Sequence, residues 1–390
     1  MGMTEQLDEI LQAGVERGAA PGAVFVVVGR DGVRYEGSAG ERAAGSGITM
    51  TPDTVGALFS NTKALTGAAA MQLVEEGTLS LDAPASEVCP ELGQIQVLDG
   101  FDGDGQPITR PPATPVTLRH LLTHTSGFVY DIWNADSLRW HDVTGEPNIL
   151  TLEKASLMEP LMFDPGTRWE YGIGIDWVGQ MVEQASGQTL GAYFAEHLTG
   201  PLGMSDTAFA HTPSMLERAS AVHGRGPDGS LTPIDLPPPE NPEFEMGGGG
   251  LHGTMGDYGR FLQMLLNEGE LDGTRVLGAD TIQTMSQNHI GDLRVQMLPT
   301  TNPAFSNDAE FFPGAPKSWG LTFQINEEPG PSGRPAGTLM WAGLANSYYW
   351  IDRENDVAGA YLSQILPFAD AGSLGLFDEL EAAVYASAGS

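Results

Sequence analysis

The strand signals of this chain sit at its two ends. Ala23-Val24-Phe25-Val26-Val27-Val28 is a β-branched run too continuous for a half-exposed strand, so it reads as a strand buried on both faces. Arg30-Asp31-Gly32 gives a turn, and Val33 to Gly37 returns as the second arm of a hairpin. Far along the chain, Ser347-Tyr348-Tyr349-Trp350-Ile351 and Val357 to Leu362 read as strands on either side of a turn over Asp352 to Asp356. Strands at both ends with helices between them predict an α/β (α+β) fold: one antiparallel sheet from both chain ends, flanked by helices, with a helical lobe inserted. The expected division is an α/β lobe from residues 1–80 and 251–390, and a mainly helical lobe from 81–250.

Helical spacing supports that outline. Leu7, Ile10, Leu11 and Val15 place a helix over Gln6 to Val15, and Leu374 to Tyr385 closes the chain as an amphipathic helix. Between them, Asn61 to Glu76 ends at Gly77, a natural C-terminal cap, and Ile175 to Ala185 runs up to Gly187. Leu118 to Thr123 and Tyr258 to Asn267 read as shorter helices. The Pro/Gly/Asp-rich stretch Pro227 to Pro242 reads as a long surface loop.

Charge and cysteine content narrow the function classes. With 18 Lys+Arg against 51 Asp+Glu, the 390-residue chain carries a formal charge of −33, which repels nucleic acid and anionic membranes, so neither is expected as a partner. At 41% hydrophobic and 18% charged residues, it has ample material for a core. Cys89 is the only cysteine, so no intrachain disulfide or cysteine-based zinc cluster is available. The first residues lack a basic segment followed by an apolar one, and no apolar run reaches membrane-spanning length. A soluble, cytoplasmic protein is expected.

Several motifs invite chemistry that their context denies. Gly248 to Gly253 and Gly224 to Gly229 both fit G-x-G-x-x-G, but neither follows a hydrophobic strand and the second contains Pro227, so they read as tight-turn glycines. His120 and His124 are four apart without the glutamate of H-E-x-x-H, so a structural role and no metal are expected. None of the 22 serines sits in G-x-S-x-G.

Ser60-Asn61-Thr62-Lys63 is the informative motif. Random placement of 22 serines and three lysines gives about 0.2 S-x-x-K pairs in such a chain. This one stands where the apolar Ala57-Leu58-Phe59 leads into a long apolar helix. Serine needs a base to become a nucleophile. A lysine three residues on shares its helical face, and burial there lowers the amine's pKa. The helix N-terminus adds free N–H groups suited to an oxyanion.

These residues, together with Glu76-Gly77-Thr78-Leu79-Ser80-Leu81-Asp82, the run Leu118 to Gly127, Pro165-Gly166-Thr167-Arg168-Trp169-Glu170-Tyr171, and Gly247 to Leu251 with Asp257, Tyr258 and Phe261, resemble the serine β-lactamase-like superfamily. The similarity is greatest to the class C β-lactamase-like carboxylesterases (family VIII esterases), and spans about residues 8 to 385. The resemblance implies a β-lactamase/DD-peptidase-like fold forming a single catalytic unit. It also implies an acyl-enzyme on Ser60, with Lys63 and Tyr171 handling protons, the Tyr171 phenol being lowered in pKa by the neighbouring ammonium. The oxyanion hole maps onto the backbone N–H groups of Ser60 and Leu344, and no cofactor is implied.

Two departures from the β-lactamase pattern bear on substrate. Tyr171-Gly172-Ile173 lacks the asparagine of tyrosine-x-asparagine, and Trp341-Ala342-Gly343 stands in place of lysine-threonine-glycine. Tryptophan cannot bind a substrate carboxylate, and its presence follows the esterases and related acyltransferases. Trp341 and Gly343 are therefore expected at the substrate, the glycine allowing its close approach, with Tyr130, Trp133 and Tyr348 as candidate pocket residues. The expected substrate is a small neutral ester; acyl transfer, amidase activity or weak β-lactam hydrolysis would use the same residues.

Overall fold

The computed structural model describes residues 2–237 and 241–388. Its centre is a seven-stranded antiparallel sheet. The strands are β1 (Gly22–Gly29), β2 (Gly32–Gly40), β3 (Lys317–Trp319), β4 (Gln324–Asn326), β5 (Leu339–Gly343), β6 (Ser347–Asp352) and β7 (Val357–Leu362), in the order β3-β4-β5-β6-β7-β1-β2. The N-terminal hairpin joins the C-terminal strands through β1 and β7, with Val26 opposite Ala360. Both are buried along their whole length, as the unbroken apolar run of β1 requires.

Helices cover both faces. α1 (Met3–Glu16) packs against α6 (Ala371–Ala388), where Gly14 leaves room for Leu376. Phe377 of α6 lies against the rings of Tyr348, Trp350 and Tyr361. On the other face α5 (Met255–Leu266) crosses β1, and a Cβ on Gly259 would already lie 3.3 Å from Val28. α2 (Thr62–Glu75) is buried all round from Thr62 to Leu73, which accounts for a sequence with no polar face. It lies beside α4 (Gly174–Ser186), which in turn packs on the short α3 (Leu118–Leu122). No helix among the described residues is long and apolar enough to cross a membrane.

The expected surface loop over Pro227 to Pro242 is partly a hairpin. Leu231–Ile234 pairs with Val222–Arg225, whose other edge runs parallel to Ile365–Leu366. Pro233 stands on the outer strand, where a missing N–H costs no ladder bond, so its presence hid a real strand. Residues 238–240 of that stretch lie outside the described residues. The pairing also joins the 81–250 segment to the C-terminal lobe, across the boundary drawn at residue 251.

Arg334, in the β4–β5 connection, and Glu381 of α6 form an ion pair with both side chains almost wholly buried. The Arg334 guanidinium also lies over the rings of Phe312 and Trp350. Removing one partner leaves a buried charge without compensation. Glu381→Ala is expected to cost about 3–5 kcal/mol in urea unfolding, and Arg334→Met with Glu381→Leu to recover most of it; a loss under about 1 kcal/mol for Glu381→Ala would contradict this.

Candidate active site

Ser60 lies in a single 3-10 turn, Phe59–Asn61, directly before α2. Phe59 has φ 44°, a left-handed conformation that a bulky residue adopts only when its surroundings impose it. Three elements do so. The Leu58 N–H donates to the Leu251 carbonyl (2.9 Å), Asn61 Nδ2 donates to Ser347 Oγ (3.1 Å), and the Tyr258 hydroxyl donates to the Asn61 carbonyl (3.0 Å). The nucleophile turn is thus tied to the glycine-rich run, to β6 and to α5.

Lys63 is 1% exposed. Its Nζ donates to Ser60 Oγ (3.1 Å), the Tyr130 hydroxyl (2.9 Å) and the Gly248 carbonyl (2.6 Å). Burial pushes the amine down to about 7, opposed by the negative charge of Asp176. The Gly248 N–H donates to Asp176 Oδ1 (2.8 Å), and a Cβ on Gly248 would stand 2.5 Å from Asp176 Oδ2. The glycines of this run do form a turn, with the Gly249 and Gly250 N–H groups donating to the Met246 carbonyl, and Gly248 is small because the Asp176 carboxylate closes on it. Thr66 Oγ1 holds the preceding carbonyl, Gly247 O, at 2.7 Å.

Tyr171 reaches the same point from the loop before α4. Its hydroxyl faces Ser60 and accepts from Trp341 Nε1 (3.0 Å). The expected lowering of this phenol by the ammonium is reversed. Lys63 Nζ sits over the face of the Tyr171 ring, 4.8 Å from its centroid, and burial raises the phenol above its usual range. Tyr130, also fully buried, is raised still more clearly, by burial first and then by Tyr171 and Asp176. Both phenols therefore keep their protons around neutral pH. Gly172 lets the two tyrosine loops meet, since a Cβ there would lie 2.2 Å from the Phe128 carbonyl.

Trp341 stands behind Tyr171, nearly buried, as a hydrogen-bond donor to it. A Cβ on Gly343 would fall 2.3 Å from the Leu58 carbonyl and 2.4 Å from Ser347 Oγ, so the glycine allows β5 to approach the nucleophile segment closely. Leu344 follows directly, and its backbone amide and that of Ser60 are the two expected at the oxyanion. Among the described residues neither amide donates to a turn, loop or side-chain acceptor. Trp133 lies edge-on to Tyr130 and tilted against Tyr171, and donates from Nε1 to Ser306 Oγ (2.9 Å). Tyr348 is wholly buried, its hydroxyl donated to Asn346 Oδ1 (2.5 Å) and its ring against those of Phe311 and Phe368.

His120 and His124 do not form a pair. The Thr117 N–H donates to His120 Nδ1 at the start of α3, and the Gly172 N–H donates to His124 Nδ1. His124 is held neutral by burial and by the Lys63 charge. Among the described residues no group of three potential ligands is placed to hold a metal. Sequence reasoning missed Asp176, Phe311 and Phe368. Phe311 meets the Trp341 ring and Phe368 the Trp133 ring. An acid at the head of an apolar helix was the one available signal for Asp176.

The fit of β5 against the nucleophile segment can be tested alone. Gly343→Ala places a methyl against backbone that cannot move aside, at an expected cost of about 1–3 kcal/mol. Thermal unfolding would show it as a lowered midpoint, and an unchanged midpoint would contradict the close approach.

The fold agrees with known proteins. The Beta-lactamase family model matches residues 7–383. Lovastatin esterase of Penicillium rubens is 33% identical, the match covering 93% of each chain. Acyltransferase calJ of Penicillium decumbens is 32% identical over 82% of this chain and 78% of its own. The unliganded simvastatin synthase LovD of Aspergillus terreus superposes with a TM-score of 0.86 at 29% identity, covering 97% of both chains. The chain belongs to the beta-lactamase family and is a serine hydrolase built on that family's fold.

Proposed function

We propose that the protein is a carboxylesterase that hydrolyses neutral esters of small apolar acids through an acyl-enzyme on Ser60. The observation that carries this reading is the buried Lys63 amine, 3.1 Å from Ser60 Oγ and brought near neutrality by its surroundings. As a neutral amine it donates to Gly248 and Tyr130 and keeps its lone pair for the Ser60 proton.

The steps follow from the placement of the groups. Ser60 Oγ attacks the ester carbonyl while its proton passes to Lys63. The oxyanion lies between the Ser60 and Leu344 amides. Tyr171, protonated and facing Ser60, delivers its proton to the leaving alkoxide, and the Lys63 ammonium restores it. Water then attacks the acyl-enzyme by the reverse sequence, giving acid and free Ser60.

Substrate class rests on charge and shape. Trp341 offers no cation to a substrate carboxylate, and the buried Lys317 that shares a small cavity with it is committed to Glu310 at 2.8 Å. The net charge of −33 also disfavours anions. Tyr130, Trp133, Phe311 and Phe368 supply apolar walls, which suit a compact apolar acyl group. Acyl transfer is the second reading, favoured by the acyltransferase among the relatives: adding an acceptor alcohol would then give ester faster than acid.

Lys63→Ala and Tyr171→Phe are each expected to lower kcat/KM for p-nitrophenyl butyrate by ~100- to 10,000-fold, and Ser60→Ala to abolish labelling by a fluorophosphonate. Retained turnover in Lys63→Ala would refute its role. Because Lys63 must be neutral to act, kcat/KM should rise about tenfold per pH unit below about pH 7 and level off above it. A profile flat from pH 5 to 9 would contradict a lysine base.

A further inference from the structure

One buried charge has no part in the steps above. Asp176, at the first turn of α4, is wholly buried, and its Oδ2 has no hydrogen-bond partner among the described residues. A carboxylate left this way is costly unless something near it compensates. Oδ1 accepts from the Gly248 N–H, and the carbonyl of the same glycine accepts from Lys63 Nζ. One residue of backbone therefore separates the carboxylate from the amine, clamped between α4 and α2.

We propose that Asp176 is a positioning residue for the Ser60 chemistry: it holds the glycine run as the acceptor that aims Lys63 at Ser60, and its charge governs how firmly Lys63 keeps its proton. The inference rests on the reading of Lys63 as the base.

The groups that face this pair support it. Tyr130 approaches from the loop after α3, Tyr171 from the loop before α4, and His124 from the end of α3. The two phenols are pushed up by burial and His124 is pushed down, so all three stay neutral between the ordinary carboxylate and lysine ranges. Tyr349 of β6, behind Tyr171, is likewise pushed up by burial. Glu159, raised to about 7 by burial, pairs with His141 and acts on Tyr130. The charges that change near neutrality are thus those of Lys63, brought to about 7, and Asp176, raised to about 6 by burial, with Glu159 acting from behind Tyr130 and not on the Lys63 amine directly. They oppose each other: the carboxylate favours the ammonium, and the ammonium favours the carboxylate.

Asp176→Asn keeps an oxygen for the Gly248 N–H and removes the charge. Lys63 then loses its proton more easily. The acid limb of kcat/KM for p-nitrophenyl butyrate should move down by about one pH unit or more, with the high-pH plateau within about tenfold of wild type. An unmoved limb, or a uniform loss at every pH with the unfolding midpoint retained, would overturn the proposal. If Asp176→Asn does not fold, the smaller neutral Asp176→Ser carries the same expectation. If neither folds, the residue is structural and the proposal fails. The wild-type profile separates this from the base assignment: a wild-type enzyme without an acid limb refutes Lys63 as base, whereas a limb that ignores residue 176 refutes only the role of Asp176.

Discussion

The burial of one lysine organises this site. An ammonium taken out of water must find acceptors or give up its proton. Lys63 does some of each: three oxygens surround its Nζ, and its affinity for a proton falls to about 7. The acceptors come from the nucleophile turn, the loop after α3 and the glycine run, so the lysine also draws three distant segments to one point. The same low-polarity surroundings raise the Tyr130 and Tyr171 phenols. One environment therefore yields a base that can be neutral and acids that stay protonated, as a serine acylation requires.

Rigidity at this point is supplied from outside the site. The left-handed Phe59 and the buried turn after it are held by Leu251, Ser347 and Tyr258, which belong to three elements of the fold. Trp341 continues the theme. Its indole N–H fixes the Tyr171 hydroxyl, and its ring packs against those of Tyr171, Trp319 and Phe311. The position that brings a cation to the site in β-lactamases here brings an uncharged donor and apolar surface.

Much of this was legible in the sequence because burial leaves a strong pattern. The run Ala23 to Val28 and the strands Ser347–Asp352 and Val357–Leu362 carry enough β-branched and aromatic residues to declare a sheet with both faces covered. Ser60 and Lys63 stand out because lysine is rare in this chain and misplaced in an apolar helix. Strands of three residues such as β3 and β4 leave no periodicity to read. The Leu231–Ile234 strand was hidden by its proline. The pairing of Asp176 with Lys63 through Gly248 was invisible for another reason: it joins residues 113 and 72 positions apart, and a turn glycine carries no sign of the carboxylate beside it.

The scarcity of lysine makes the central claim directly measurable. The chain has only Lys63, Lys154 and Lys317, so lysine labelled with 13C at Cε gives three side-chain resonances, and that of Lys63 is assigned by its loss in Lys63→Ala. The account requires the Lys63 signal to titrate near pH 7 in the resting enzyme. If it instead titrates in the ordinary lysine range, about pH 10, Lys63 is an ammonium at working pH and cannot be the resting base.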